Sequence, residues 1–383
     1  MAVTFLRQRV LSNQQICCTW RFVCRQLCAV AVQQQHKETR QTGVPLIVPK
    51  HVIAKAFIVH PSTTSVFEAS SKYQWLTKTK LFEGLPAPFS NVDNFLDDKE
   101  YEHLREKFKE SILQNHAFRK EGISANHRFR RRGEEMTMGF LQDLLRFGWS
   151  LSDRHRHLDD CFLDLKPKMR IHWARHHNFY QLDQEPAFVI RTKQPSQLLE
   201  PNVEKTSLET IPGPFDNYSI NVFRHPILHL QNKPGFQNSA FYKYPYNHVM
   251  FLTNISKLTY DQQQAYGIMS MFGSLVALAM DYGVQMGQHL QKPLVTKCVI
   301  TDGIQCTLMC YQLNTLSFQE DFGIKNCAWV SHSMNLFEVT NAKHKPLLFE
   351  TLDVDNKVCG FNDECFKTVL AFLCKETVSH EPF

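Results

Sequence analysis

The sequence predicts an α+β fold in which long helices pack on small mixed, largely antiparallel sheets. Three runs of residues carry that prediction. Thr259, with Gln262 three positions on, makes a capping box in front of a long apolar stretch from Tyr260 to Gly283. Directly after it, Leu294 to Ile300 and Ile304 to Leu313 are β-rich runs joined by Thr301-Asp302-Gly303, a strong hairpin signal. Near the C-terminus, Asn362 to Lys375 places Phe366, Val369, Leu370 and Leu373 on one helical face.

In chain order, residues 1–37 combine Arg7, Arg9, Arg21, Arg25 and Lys37 with apolar residues such as Phe5, Leu6 and Trp20, and contain no acidic residue. That is the composition of a mitochondrial transit peptide, and Arg21 and Arg25 interrupt the continuous apolar core a secretory signal needs. Residues 38–194 are expected to form a basic N-terminal region, helical and extended. Within it, Val52 to Val59 suits a strand. The spacing of Trp75, Leu76, Leu81, Phe82 and Leu85 predicts a short helix ending near Gly84, which Pro86 prevents from continuing. Asp93 to Phe118 predicts an amphipathic helix with Phe95, Leu104, Phe108 and Ile112 among charges that mostly balance. From Lys168 onward cation and apolar residue alternate, predicting a strand with Met169, Ile171 and Trp173 inward and Lys168, Arg170 and His172 outward.

Residues 195–235 hold six prolines and are expected to connect two lobes, with one short strand at Tyr218 to Phe223. Residues 236–383 form the C-terminal α+β lobe, to which Val249 to Leu252, Cys327 to Val330 and Pro346 to Glu350 add short strands. The Tyr260 run begins with glutamines and contains Gly and Ser, so a buried core helix is expected there and no membrane span, which needs about 20 predominantly apolar residues.

Composition narrows the function classes. With 383 residues and 43% apolar content the chain can bury substantial cores. Glycine is scarce, 15 residues against a usual share of about 7%, which leaves few places for backbone to cradle a phosphate. No Gly-rich nucleotide loop, nucleophile elbow or zinc-ligand spacing occurs, so neither a catalytic residue nor a metal or other cofactor is assigned. Asp302 beside Gly303 is expected to be a turn residue. The cysteines form no Cys-x-x-Cys pair, and Cys306 and Cys310 alternate in an apolar run as small buried side chains would. Eight of the 18 histidines lie between residues 101 and 180, but cations surround His172, His176 and His177, favouring a polar or RNA-contacting surface over a metal site. Positive charge is concentrated in the N-terminal half, whereas residues 301–383 carry more acidic than basic groups, a division suited to one RNA-facing side and one facing protein or solvent.

One stretch is more specific than any fold rule. Gln74-Trp-Leu-Thr-Lys-Thr-Lys-Leu-Phe-Glu-Gly-Leu-Pro86, with Gly235-Phe236-Gln237, Tyr244-Pro245-Tyr246-Asn247-His248 and Ile324-Lys325-Asn326-Cys327-Ala328-Trp329-Val330, resembles the family of mitochondrial large-subunit ribosomal proteins that includes protein thirty-seven and programmed cell death protein nine. Residues 87–230 carry little of the resemblance. It implies a structural, non-enzymatic constituent of the large subunit in the mitochondrial matrix. The implied partners are large-subunit mitochondrial rRNA and other mitochondrial ribosomal proteins, its family relative among them, with no small-molecule substrate. The competing reading is a free matrix RNA-binding or RNA-processing factor.

RNA-contact candidates follow from charge alone. The densest cluster is Arg128-Phe129-Arg130-Arg131-Arg132, where an aromatic among arginines can combine phosphate neutralisation with base stacking. Lys78 and Lys80 in the Trp75 block, and Lys168, Arg170 and Arg175 in the alternating run, complete the set.

Overall fold

The computed structural model describes residues 55–90, 98–121, 129–153, 155–176, 178–220, 222–226, 232–237, 242–338, 340–341, 349–350, 358 and 360–375. Residues 53–383 form one compact unit. The expected transit peptide at residues 1–37 lies outside the described residues, as do the start of the Asp93 helix and Pro346 to Leu348.

In order, the main elements are β1 (Lys55–Val59), α1 (Ala69–Leu76), β2 (Thr79–Glu83), α2 (Ala87–Ser90), α3 (Asp98–Glu121), α4 (Phe129–Trp149), β3 (Phe162–Leu165), β4 (Met169–Arg175), β5 (Asn178–Gln184), β6 (Phe188–Thr192), β7 (Phe223–Pro226), β8 (Tyr246–Thr253), α5 (Tyr260–Asp281), β9 (His289–Thr301), β10 (Gln305–Thr315), β11 (Asn326–Val330), β12 (Met334–Asn335) and α6 (Asp363–Cys374). A four-stranded sheet has the order β4-β5-β1-β7, and a larger one runs β2-β11-β10-β9-β8-β6-β3 with β12 beside β10. Most pairs are antiparallel; β1–β5, β8–β9 and β2–β11 are parallel. The fold is thus α+β as expected, although the second sheet is larger than small.

Helix α5 lies between the two sheets. Its buried residues pack in one core with Ile171, Trp173 and Leu182 of the four-stranded sheet and with Cys298, Ile300 and Met309 of the larger one. A helix apolar all round requires apolar neighbours on both sides, which explains its composition. Close approach explains its glycines: a Cβ at Gly267 would lie 2.3 Å from Met309 Sδ, and one at Gly273 would lie 2.6 Å from Leu182 Cδ2. The predicted capping box is formed, with Gln262 N–H donating to Thr259 Oγ1 at 3.4 Å and Thr259 N–H to Gln262 Oε1 at 3.1 Å.

The other face of the larger sheet carries Ile190, Val249, Phe251, Val299, Leu308 and Cys310 into a second core with α3, α4 and α6. There Phe108 of α3 stacks on Phe366 of α6 at 4.4 Å between ring centroids. Alternate residues of β9 therefore serve opposite cores, Cys298 and Ile300 on one side and Val299 on the other.

Three expectations are corrected. The Trp75 block is not one helix through Gly84: Lys78 adopts a left-handed φ of 51° and the chain turns into β2, which pairs in parallel with β11. A partner some 250 residues away in sequence overrides the local helical spacing. Tyr218 to Ile220 form a turn, and the strand of that region is β7, paired with β1. Residues 195–235 do not separate two lobes, because the larger sheet draws strands from either side of that segment and β7 of the four-stranded sheet lies inside it. Elsewhere expectation and structure agree: the Asp-Gly hairpin joins β9 and β10, with Asp302 Oδ1 accepting from the N–H groups of Ile304 and Gln305 at 2.9 and 2.8 Å, the role of a turn residue.

Candidate nucleic-acid interface and its buried cations

The five RNA-contact candidates whose side chains are described divide by burial. Lys168 is exposed, at the entry to β4. Arg170 is partly exposed and forms a two-pronged ion pair with Asp183 across the β4–β5 ladder, at 2.7 and 2.9 Å. Lys80, on β2, reaches Glu209 at 3.3 Å. Arg130, Arg131 and Arg132 fall in the first turn of α4, and Arg128 lies outside the described residues.

Lys78 and Arg175 are corrections: both are buried and neither is presented to solvent. On β4 the burial alternates as predicted for Met169, Ile171 and Trp173, and the same period of two carries Arg175 inward. Its guanidinium lies over the Trp75 ring at 5.1 Å, donates to the Phe318 carbonyl at 2.7 Å and pairs with Asp321. Burial draws Arg175 below its ordinary range, and Asp321 opposes that. Lys78 donates to the Ser317 carbonyl at 3.0 Å, and burial, with the nearby positive charges of Arg175 and Lys325, pushes it down to about 8. Lys325 donates to the carbonyls of Gly323 and Ser207 at 2.8 and 3.3 Å. Arg175 and Lys78 thus fasten the loop between β10 and β11 to β4 and to the turn after α1, and Lys325 ties it to Ser207. Their work is structural, because they are buried and the bonds they make go to protein carbonyls and one carboxylate.

Two further buried cations were missed from the sequence. Lys297, on β9, is 1% exposed and donates to the Phe372 carbonyl at 2.8 Å, with His248 Nε2 at 3.3 Å and the rings of Phe89 and Phe372 at 4.9 and 5.3 Å. Burial pushes Lys297 down to about 8, while the thiols of Cys310 and Cys374 are pushed up to about 12, also by burial. Amine and thiols are buried, and the Lys297 amine caps the carbonyl end of α6. Arg191, on β6, donates to Asp164 at 3.0 Å, to Asn247 Oδ1 at 2.7 Å and to the Pro234 carbonyl at 3.1 Å. The signal was a cation within a largely apolar run, Lys297 among Leu294, Val295, Cys298, Val299 and Ile300, and Arg191 directly after Phe188, Val189 and Ile190.

Among the described residues no group of three or more His, Cys, Asp or Glu side chains converges as a metal site, and no helix is long and apolar enough to cross a membrane.

The family described as Mitochondrial 28S ribosomal protein S30 (PDCD9) matches residues 37–183 and 252–377. The chain belongs to this family. The matched stretches contain α1, β4, α5, the β9–β10 hairpin and α6, so the Trp75–Arg175 stack and the Lys297 contact to α6 both lie within them. Arg191 and the Pro-rich segment lie between the matches. Among curated relatives, large ribosomal subunit protein mL37 of Gallus gallus is 26% identical over 339 residues, covering 84% of this chain and 74% of that protein. The proteins of the same name from Bos taurus and Mus musculus are 25% and 23% identical, and here the match covers 71% of this chain and 64% of each relative.

Proposed function

We propose that this chain is a structural constituent of the large subunit of the mitochondrial ribosome, supporting mitochondrial translation from the matrix by holding rRNA and neighbouring ribosomal proteins. The observation that carries this reading is the family match on both sides of residue 200, joined to relatives whose names specify the large subunit. The family's own description names the 28S particle; the relatives' names favour the large subunit, because they extend along most of the chain. Residues 1–37 supply the import signal, and no small-molecule substrate or cofactor enters the role.

The surface cations Lys80, Lys168 and Arg170, with Arg128, Arg130, Arg131 and Arg132, are the phosphate-facing candidates, while Lys78 and Arg175 act through folding. Salt-graded sucrose gradients of mitochondrial lysate test the reading. Retention with large-subunit rRNA at high ionic strength is expected for a component held by packed interfaces, whereas a purely electrostatic binder washes off as salt rises. Migration as a light species at all salt concentrations overturns it in favour of a free matrix factor.

A further inference from the structure

A column of aromatic rings runs along the β3 end of the larger sheet. Tyr244 stacks on Phe162 with ring centroids 5.7 Å apart, Phe162 meets Tyr242 edge-on at 6.4 Å, and Tyr242 stacks on Phe236 at 4.6 Å. Cations close both ends: the Arg191 guanidinium lies 4.8 Å from the Phe236 ring, and Lys193 Nζ lies 5.5 Å from that of Tyr244. The Arg191 bond to the Pro234 carbonyl ties the segment bearing Phe236 to the sheet, so the column is built onto a rigid element. Phe162, in the middle of it, is nevertheless 44% exposed, and β3 ends the strand order of its sheet.

Charge says what such a surface would receive. Lys168, Lys233 and Lys243 are exposed and, among the described residues, enter no ion pair. Lys243 sits between Tyr242 and Tyr244 in the chain. Lys233 exchanges backbone hydrogen bonds with Arg170 at 3.0 and 2.7 Å, three residues before Phe236. Lys168 lies between Pro167 and Met169, whose side chains border Gly235. Of the nearby acids, Asp164 pairs with Arg191, Asp160 with Lys193 and Asp183 with Arg170, Asp159 adjoins Asp160, and exposed Glu185, next to the β5 partner of Met169, offsets one of the three lysines. The excess positive charge therefore follows the Lys168, Lys233 and Lys243 side.

We propose that this edge is a stacking platform for an unpaired strand of RNA, with bases packing on the exposed Phe162 ring, which Tyr244 backs, and phosphates lying along Lys168, Lys233 and Lys243. A peptide strand paired with β3 would cover Leu163 and Leu165 but leave the excess positive charge unmet. The inference rests on the RNA-binding part of the ribosomal reading and assigns it a place that charge counting alone did not find.

The test is fluorescence anisotropy of the full chain with a short labelled oligouridylate and with an RNA duplex of equal length, at graded potassium chloride. The single strand should bind more tightly than the duplex. Phe162→Ala and Tyr244→Ala should each weaken it roughly tenfold with the salt slope unchanged, and Tyr244→Phe should bind like the parent, because stacking needs the ring and not the hydroxyl. Lys168→Ala, Lys233→Ala and Lys243→Ala together should reduce the slope of log affinity against log salt by about 2. Thermal unfolding verifies that each variant is folded; the three lysine sites are exposed, so that arm survives if a ring variant does not fold. Equal affinity for duplex, unchanged affinity of folded ring variants, or an unchanged slope in the lysine variant overturns the platform. So does a photo-crosslinker at position 162 that captures a protein neighbour in the subunit and no RNA. Co-sedimentation of the parent chain reports separately on ribosomal membership, so the platform can fail while that reading stands.

Discussion

Lys297 Nζ lies 2.8 Å from the carbonyl oxygen of Phe372, so the last turn of α6 closes on a cation carried by a central strand of the larger sheet. No carboxylate shares that position among the hydrogen bonds of Lys297: its partners are the Phe372 carbonyl and His248 Nε2. The contact joins two requirements that are costly apart, a buried ammonium and a buried helix end with unsatisfied carbonyls.

The first prediction is a pH dependence. The Lys297 pKa is lowered from 10.5 to about 8 by burial. At pH values below the folded pKa the amine is protonated whether folded or unfolded, and the burial cost is present in full. As pH rises through the interval between the two values the folded state gives up its proton first, the unfolded state holds more protons, and stability increases. Relative to Lys297→Met, the parent should gain on the order of 3 kcal/mol across that interval, read from urea unfolding at graded pH. Parallel curves for the two proteins would show that the ammonium is not desolvated.

The Arg175 node predicts unequal effects from the two halves of one ion pair. Arg175→Met, which strands Asp321 and the Phe318 carbonyl and removes the cation over Trp75, should cost on the order of 3 kcal/mol in chemical denaturation. Asp321 is 39% exposed on its side chain, so Asp321→Asn should cost no more than about 1 kcal/mol. A Lys78→Met or Arg175→Met protein that remains folded should bind RNA with the parent's salt slope, because neither cation reaches solvent.

Thr259→Ala removes the side-chain acceptor at the start of α5 and should lower stability by about 1 kcal/mol, measured as a shift in urea midpoint without a change in slope. A loss near zero would mean that water replaces the Thr259 oxygen at no cost.

At Gly273, space is contested by Leu182. Gly273→Val should destabilise by roughly 2 kcal/mol through overpacking between α5 and the four-stranded sheet. Leu182→Ala in the same chain should recover part of that loss, so that the double variant is more stable than the two single costs added together. Strict additivity would show that the two residues do not share the space.

Legibility in the sequence followed the range of the interactions. Helix α5 and the β9–β10 hairpin are written locally, in Thr259 with Gln262 and in Asp302 with Gly303, and both formed as expected. Strand β2 was not, because its pairing with β11 brings together residues near 80 and near 328, and nothing in Lys80-Leu81-Phe82 announces that partner. Arg175 was legible and misjudged: the alternation that turned Trp173 inward applied two residues later as well, but the positive charge was given more weight than the period. Lys297 and Arg191 show the same lesson on β9 and β6, where a cation in a doubly buried strand signals a partner inside the protein and not a ligand outside it. The aromatic column was invisible as a unit because Phe162, Phe236 and Tyr244 meet only through the sheet edge and the Pro-rich segment.

The strands β1 and β2, only about twenty residues apart, go to different sheets. β1 sits inside the four-stranded sheet against β5 and β7, whereas β2 lies at the rim of the larger one against β11. Between them α1 depends on distant chain as well: its first N–H groups, at Ala69 and Ser70, donate to Asp261 of α5 at 2.7 and 3.2 Å. A polypeptide that emerges N-terminus first, from a ribosome or an import pore, therefore presents these segments well before their partners arrive. The opening of the chain must wait on its close, and a truncation after β10 would leave β2 without a neighbour however well everything before it had been made.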